Sequence, residues 1–158
     1  MFGKLTTGEI EEVLNNQLIG RIGCHNDDIT YVVPVSYAYD GDYIYGHTEE
    51  GLKINIMRQN PKICFQTDSM EDMANWKSVI AWGEFEELTD PEERKKALEK
   101  LIARNLPLVS SETVHLSPQW PFVPQDISSI KGIVYRVKLK DKTGRFEKSN
   151  GRTFMLPD

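Results

Sequence analysis

Residues 32–61 read VVPVSYAYDGDYIYGHTEEGLKINIMRQNP, and this stretch decides the fold. From residue 29 to 39 the chain is dense in β-branched and aromatic residues, and Asp40-Gly41-Asp42 has the turn chemistry to fold it back into Tyr43-Ile44-Tyr45 as a hairpin. The second strand ends at His47 and Thr48. A short helix over 49–59 follows, with Leu52, Ile56 and Met57 on one face, and it must stop before Pro61, whose ring disfavours helix at the residue before it. Thr48 is suited to cap that helix, and Lys53 falls in its first turns. Backbone N–H groups, the positive end of the helix dipole, a hydroxyl and an ammonium group then converge, which is the chemistry of a phosphate site.

Working outward, Thr6-Thr7-Gly8-Glu9 begins an N-terminal helix with Ile10, Val13 and Leu14 on its apolar face. A strand over 18–24, a turn at His25-Asn26-Asp27-Asp28 and a strand over 62–67 complete the first half, while 68–75 has turn composition. Residues 76–88 read as a long strand that Gly83 bends or bulges. Thr89 or Asp90 then caps a helix with Pro91 at its first position and Ala97, Leu98, Leu101 and Ile102 as its stripe. Residues 106–128 carry four prolines with Trp120 and Phe122 and predict an irregular excursion. A last strand spans 130–139, and a loose tail begins at about 148. About six strands and three modest helices predict a mainly β, antiparallel barrel. No G-x-G-x-x-G follows a strand and no Walker loop is present, so a Rossmann or P-loop site has no support.

Composition narrows the function classes. With 158 residues, 39% hydrophobic and 27% charged, the chain is expected to be one globular domain, and no apolar run approaches the roughly 20 residues of a membrane span. The N-terminus lacks an apolar signal core, which predicts an intracellular, cytoplasmic protein. Cys24 and Cys64, both inside strand-like runs, read as free core thiols. A net charge of −5, with Arg94, Lys95, Lys96, Lys100 and Arg104 interleaved with Glu92, Glu93 and Glu99, speaks against nucleic-acid binding. The three histidines have no paired spacing, so no metal site is expected.

Val33-Pro34-Val35-Ser36-Tyr37, Tyr45-Gly46-His47-Thr48, Gly51-Leu52-Lys53 and Asn60-Pro61, taken in order, resemble the flavin-binding segment of the pyridoxamine 5′-phosphate oxidase-like split-barrel superfamily. The nearest branch is the nitroimidazole-resistance (Nim) type. Residues 76–84 (WKSVIAWGE) resemble its next strand and Thr143-Gly144-Arg145 its C-terminal T-G-[KR], so the likeness covers about residues 1–146.

The resemblance implies an antiparallel FMN-binding split β-barrel that forms a homodimer with FMN at the subunit seam. Lys53 is then the phosphate contact, assisted by Thr48, and His47 meets the flavin or substrate as a local acid, a role suited to a ring that ordinarily titrates near neutrality. Val35, Ser36 and Tyr37 belong to the strand along the flavin ring. Strand alternation, however, keeps Ser36 and Tyr37 from both facing one ligand. Ser78 stands at a cofactor-contacting position, and Gln66 and Trp82, from the Phe65–Gln66 and Trp82 strands of a second chain, complete the pocket. Four departures stand out: the oxidases carry an Arg where this chain has Leu52, an Arg and a Lys at Val32 and Tyr37, and a Gln at Ser78. These argue against pyridoxamine phosphate oxidation, and leave Arg145 as a candidate to complete the phosphate grip. The implied activity is electron transfer from a reduced nicotinamide nucleotide, NAD(P)H, to a small acceptor such as a nitroaromatic compound, with 106–128 walling the substrate side. The alternatives are a non-catalytic flavin-binding protein, a haem-binding split barrel and a cofactor-free interaction domain.

Overall fold

The structure is a computed structural model that describes residues 1–104, 126–149 and 151. Its elements, in chain order, are β1 (Phe2–Lys4), α1 (Thr7–Asn16), β2 (Ile19–Asn26), β3 (Ile29–Ser36), β4 (Ala38–Tyr39), β5 (Tyr43–Thr48), α2 (Leu52–Gln59), β6 (Lys62–Asp72), β7 (Asn75–Leu88), α3 (Pro91–Ile102), a 3-10 turn (Ile127–Ser129) and β8 (Ile133–Glu147). All strand pairs are antiparallel, in the order β3-β2-β6-β7-β8-β5-β4, with β1 added to the end of β8. The long β7 and β8 form the spine of the split barrel. Their register shifts between Trp82 and Gly83, where a side chain on Gly83 would collide with the Lys138 carbonyl. The bulge foreseen at that glycine is therefore a close backbone approach that only glycine permits.

The helices start where their caps dictate. At α1, Thr6 and Glu9 form a reciprocal capping box, and Ile10, Val13 and Leu14 are buried. At α3, the Asp90 carboxylate accepts from the Glu93 N–H at 3.1 Å, Pro91 takes the first position, and Ala97, Leu98 and Leu101 are buried. The helix α2 differs from expectation. Its N-cap is Gly51, without a side-chain cap, because Thr48 is still paired with Ile133 in the β5–β8 ladder. Thr48 is thus a strand residue and not the cap.

Four boundaries also moved. The β2–β3 hairpin tightens to Asp27-Asp28, with Asp27 at φ 51°. Beyond it, β3 stops at Ser36, because Tyr37 turns its N–H to the Leu18 carbonyl. Strand β6 runs on to Asp72, whose carboxylate accepts from the Ala74 N–H and the Asn75 amide, so 68–75 is a hairpin end and not a loop. At the far end, β8 continues to Glu147 and recruits β1, which nothing in the sequence announced.

Alternate residues of the strands fill the barrel: Ile22, Phe65, Val79, Ala81 and Val137 are all fully buried. A smaller core beneath α3 joins Tyr45 and Val134 to Ala97, Leu98 and Leu101. The proline-rich excursion lies outside the described residues from 106 to 125, as does nearly all of the expected tail. Among the described residues, no helix is long and apolar enough to cross a membrane.

Candidate functional site

The strand alternation that fills the barrel leaves a second set of side chains facing outward from β3, β2, β6, β7 and β8. Register puts Val32, Gly23, Cys64, Trp82 and Asp141 in one row across the sheet, and Pro34, Arg21, Gln66, Ile80 and Thr143 in the next. The first row, with His25, Thr30, Lys62, Glu84 and Lys140 around it, bounds a groove of about 490 Å³. Its walls are apolar and open: Val32 is 66% and Trp82 45% exposed.

Beside the groove lies a polar network. Arg21 pairs with Asp68 at 2.6 Å and donates to Gln66 Oε1 at 3.3 Å, while Gln66 Nε2 donates to Asp68 at 3.0 Å and to Ser78 Oγ at 3.1 Å. Gln66 is thereby held in one orientation. Ser78 Oγ accepts in this network, and among the described residues its own hydrogen is uncommitted. Arg145 pairs in register with Ser78, four residues or about 13 Å along the strand from the Trp82 row.

The last residues of β3 and Tyr37 just beyond it divide by face. Val35 and Tyr37 point inward and are buried. The Tyr37 ring meets Phe65 edge-on at 4.8 Å and its hydroxyl donates to the Leu14 carbonyl at 2.7 Å, while burial pushes its pKa up to about 12. Its backbone is committed too, the N–H to Leu18 and the carbonyl to Arg104. Tyr37 therefore has no group left for a ligand, and the side-chain contact expected of it gives way to a core role. Ser36 faces outward, and its Oγ accepts from Arg104 Nη1. Arg104, at the end of α3, was not foreseen as a site residue. Burial pulls its pKa down to about 10, and its other bonds, to Leu101 and Tyr37, also go to neutral oxygens.

His47 and Thr48 end β5 and Lys53 begins α2, and none of the three lines the groove. His47 is half-buried, and its Nε2 meets the carbonyl of Lys131, so Nε2 carries a hydrogen and Nδ1 is the ring position left over. The Thr48 hydroxyl turns to the Glu49 carbonyl at 3.3 Å. Lys53 falls in the first turn of α2, half-buried, near enough to β2 for the Cys24 thiol to feel its charge. Burial lowers its pKa, and among the described residues no carboxylate pairs with it. Cys24 is a buried core residue that also reaches the edge of the groove, whereas Lys53 does not line it.

The arrangement combines one half-buried cation, two oriented serine hydroxyls and an apolar groove with an exposed indole. Such a set suits a ligand with an anionic tail and a flat polar ring. A second groove, of about 300 Å³, lies between α1 and the β6–β7 hairpin, but its Trp76 is already tied to Glu147 at 3.1 Å. Among the described residues no group of three or more His, Cys, Asp or Glu could hold a metal.

A model of the pyridoxamine 5′-phosphate oxidase family matches residues 6–146. An uncharacterized protein of Rhizobium meliloti is 32% identical over 134 residues, 80% of this chain and 83% of that protein. Among solved structures, a FAD-binding protein from Mesorhizobium loti superposes with a TM-score of 0.71 at 28% identity, covering 94% of this chain and 99% of its own. A candidate 5-nitroimidazole antibiotic resistance protein from Bacteroides thetaiotaomicron gives a TM-score of 0.67 at 19% identity, covering 92% and 87%, a likeness of fold alone.

Proposed function

The chain belongs to the pyridoxamine 5′-phosphate oxidase family, and from that premise we propose that it is an FMN-binding oxidoreductase that passes electrons from a reduced nicotinamide nucleotide to a small acceptor of the nitroaromatic class. The observation that carries the cofactor reading is Lys53: a half-buried ammonium without a carboxylate partner among the described residues, in the first turn of α2. Keeping such a charge away from water is costly unless an anion meets it, and the terminal phosphate of FMN supplies one.

The bound flavin would supply the hydride and electron chemistry, and the chain the binding and orientation. Lys53 holds the phosphate. Ser36 and Ser78, whose oxygens accept from Arg104 and Gln66, are the hydroxyls that would donate to the bound ring. Trp82 and Val32 form an apolar wall that excludes water. His47 acts as the local acid, with one condition: with Nε2 bound to Lys131, the neutral ring offers Nδ1 only as an acceptor, so the ring donates from Nδ1 only as imidazolium. Pyridoxamine phosphate is disfavoured as substrate, because Val32 and Tyr37 stand where the resemblance gives the oxidases an Arg and a Lys, and Tyr37 is committed to the core.

The exposed apolar groove face, with Ile19, Val32, Ile80 and Trp82, is the seam at which a second copy closes the pocket. A non-catalytic flavin carrier is the second reading, favoured by the likeness to the FAD-binding protein from Mesorhizobium loti. The deciding experiment is the absorption spectrum of the purified protein after incubation with FMN or FAD and gel filtration, followed by NADH or NADPH with a nitroaromatic acceptor. Retained FMN with turnover supports the proposal. Retained flavin without turnover supports the carrier, a Soret band moves the site to haem, and no chromophore removes the flavin reading.

A further inference from the structure

The segment that joins β5 to the cation of α2 is acidic, Thr48-Glu49-Glu50-Gly51, which is a poor neighbour for a phosphate. Glu50 is three residues before Lys53, just ahead of the Gly51 N-cap of α2. It does not pair with Lys53. Both Glu50 oxygens are instead taken by Arg58, at 2.9 and 3.0 Å. The same guanidinium holds both oxygens of Glu87 at 2.8 Å, so it is anchored to the end of β7. Arg58 is five residues after Lys53, which sets the two about 140° apart around the helix. Lys53 faces β2 and Arg58 faces β7.

We propose that Arg58 is a positioning residue for the anion site: anchored on Glu87, it holds Glu50 on the far side of α2 and so keeps Lys53 available to a ligand phosphate. Stability alone is a poor reason for this cluster. Glu50 is 67% exposed, and exposed ion pairs contribute little to folding. What a doubly bidentate guanidinium does provide is fixed geometry, since its planar fork meets each carboxylate at two points.

The inference rests on the reading of Lys53 as the phosphate contact, and the experiment separates the two. FMN and riboflavin, which differ by the phosphate, are titrated into wild type, Lys53→Ala, Arg58→Ala, Arg58→Ala/Glu50→Gln and Arg58→Ala/Glu49→Gln, with thermal melts confirming that each variant is folded. Arg58→Ala is expected to weaken FMN about tenfold, the effect of roughly 1.4 kcal/mol of added repulsion, and to leave riboflavin within about twofold. Adding Glu50→Gln restores FMN binding, whereas adding Glu49→Gln does not. Equal weakening of both ligands, or failure of Glu50→Gln to rescue, overturns the proposal. If Lys53→Ala weakens FMN while Arg58→Ala does not, the role of Arg58 falls and the phosphate site stands. If Lys53→Ala leaves FMN unchanged, or wild type binds neither flavin, the phosphate reading fails and takes the inference with it.

Discussion

The Tyr37 hydroxyl donates to the Leu14 carbonyl at 2.7 Å, joining the chain just past β3 to the last turn of α1. That carbonyl is among the last four of its helix, which have no partner within it. Both residues are fully buried. Tyr37→Phe keeps the ring against Phe65 and leaves the carbonyl unsatisfied, so unfolding in denaturant should show a loss of about 1–3 kcal/mol. Flavin affinity of the folded variant should be unchanged. A variant that is stable but binds flavin poorly would return Tyr37 to the ligand site.

Lys53 sets stability against binding. Burial lowers its pKa below that of the unfolded chain, so below both values the folded state carries a penalty, and stability rises as pH climbs through the folded value. Lys53→Met removes the penalty. It should be more stable than wild type at pH 7, by about 1 kcal/mol or less given the solvent that a half-buried ammonium keeps, and the gap should close in alkali. The same change should weaken FMN by roughly 1.5–3 kcal/mol through the lost charge-assisted hydrogen bond. In wild type, FMN affinity should fall with rising pH before an ordinary lysine would titrate. Melting curves against pH with and without FMN check both signs, and a destabilised Lys53→Met would contradict the account.

Gly132 is the hinge of the His47 contact. It sits at φ 94°, and a methyl group on it would lie 2.8 Å from His47 Nε2 and 2.9 Å from the Thr48 carbonyl oxygen. Gly132→Ala therefore meets backbone strain and a clash together, and a cost of about 1–3 kcal/mol is expected. Because Arg94 also ties this turn, donating to the Ile130 and Gly132 carbonyls, the disturbance should stay local. Hydrogen exchange should quicken around His47 and residues 130–132 and remain native in β2 and β6. A globally loosened exchange pattern would show that this turn supports more than the histidine.

Much of this architecture was legible because its signals are local. The Thr6–Glu9 capping box and the Asp90-Pro91 start each rest on residues within a few positions of one another, and a lone glycine inside a strand run marks the Gly83 bulge. Alternation also implied that Ser36 and Tyr37 face opposite ways, as they do. The strand β1 escaped because Phe2-Gly3-Lys4 is too short to show periodicity, and residues 68–72 because the polar side chains of a solvent-facing hairpin end have turn composition. Thr48 looked like a cap because the β5–β8 ladder that holds it in a strand is formed with residue 133, far along the chain. The same limit hid the polar partners of the site. Arg104 reaches Ser36 across 68 residues and Arg21 reaches Asp68 across 47, distances at which a sequence pattern carries no signal. Lys53 could be placed on its helix, but not its burial, which depends on how α2 settles against β2.

Ile80 tests the proposed seam without touching the residues assigned to the ligand. It lies in the outward row between Gln66 and Thr143, 40% exposed, with Ile19, Val32 and Trp82 as exposed apolar companions on the same face. A solvent-facing glutamate at an exposed strand position should cost the isolated fold only about 0.5 kcal/mol. At the centre of an apolar interface the same carboxylate would be buried twice, once from each copy, and taking two like charges out of water is strongly unfavourable. Ile80→Glu should therefore be monomeric in sedimentation velocity at concentrations where wild type is a dimer, and keep a near-native melting curve. Since the proposal makes each pocket from two copies, the monomer should also lose retained FMN, although Lys53, Ser36 and Ser78 are intact. A variant that stays dimeric with its flavin would place the seam elsewhere. A monomer that keeps its flavin would mean that one chain binds the cofactor alone, so that the apolar face serves assembly and not the site.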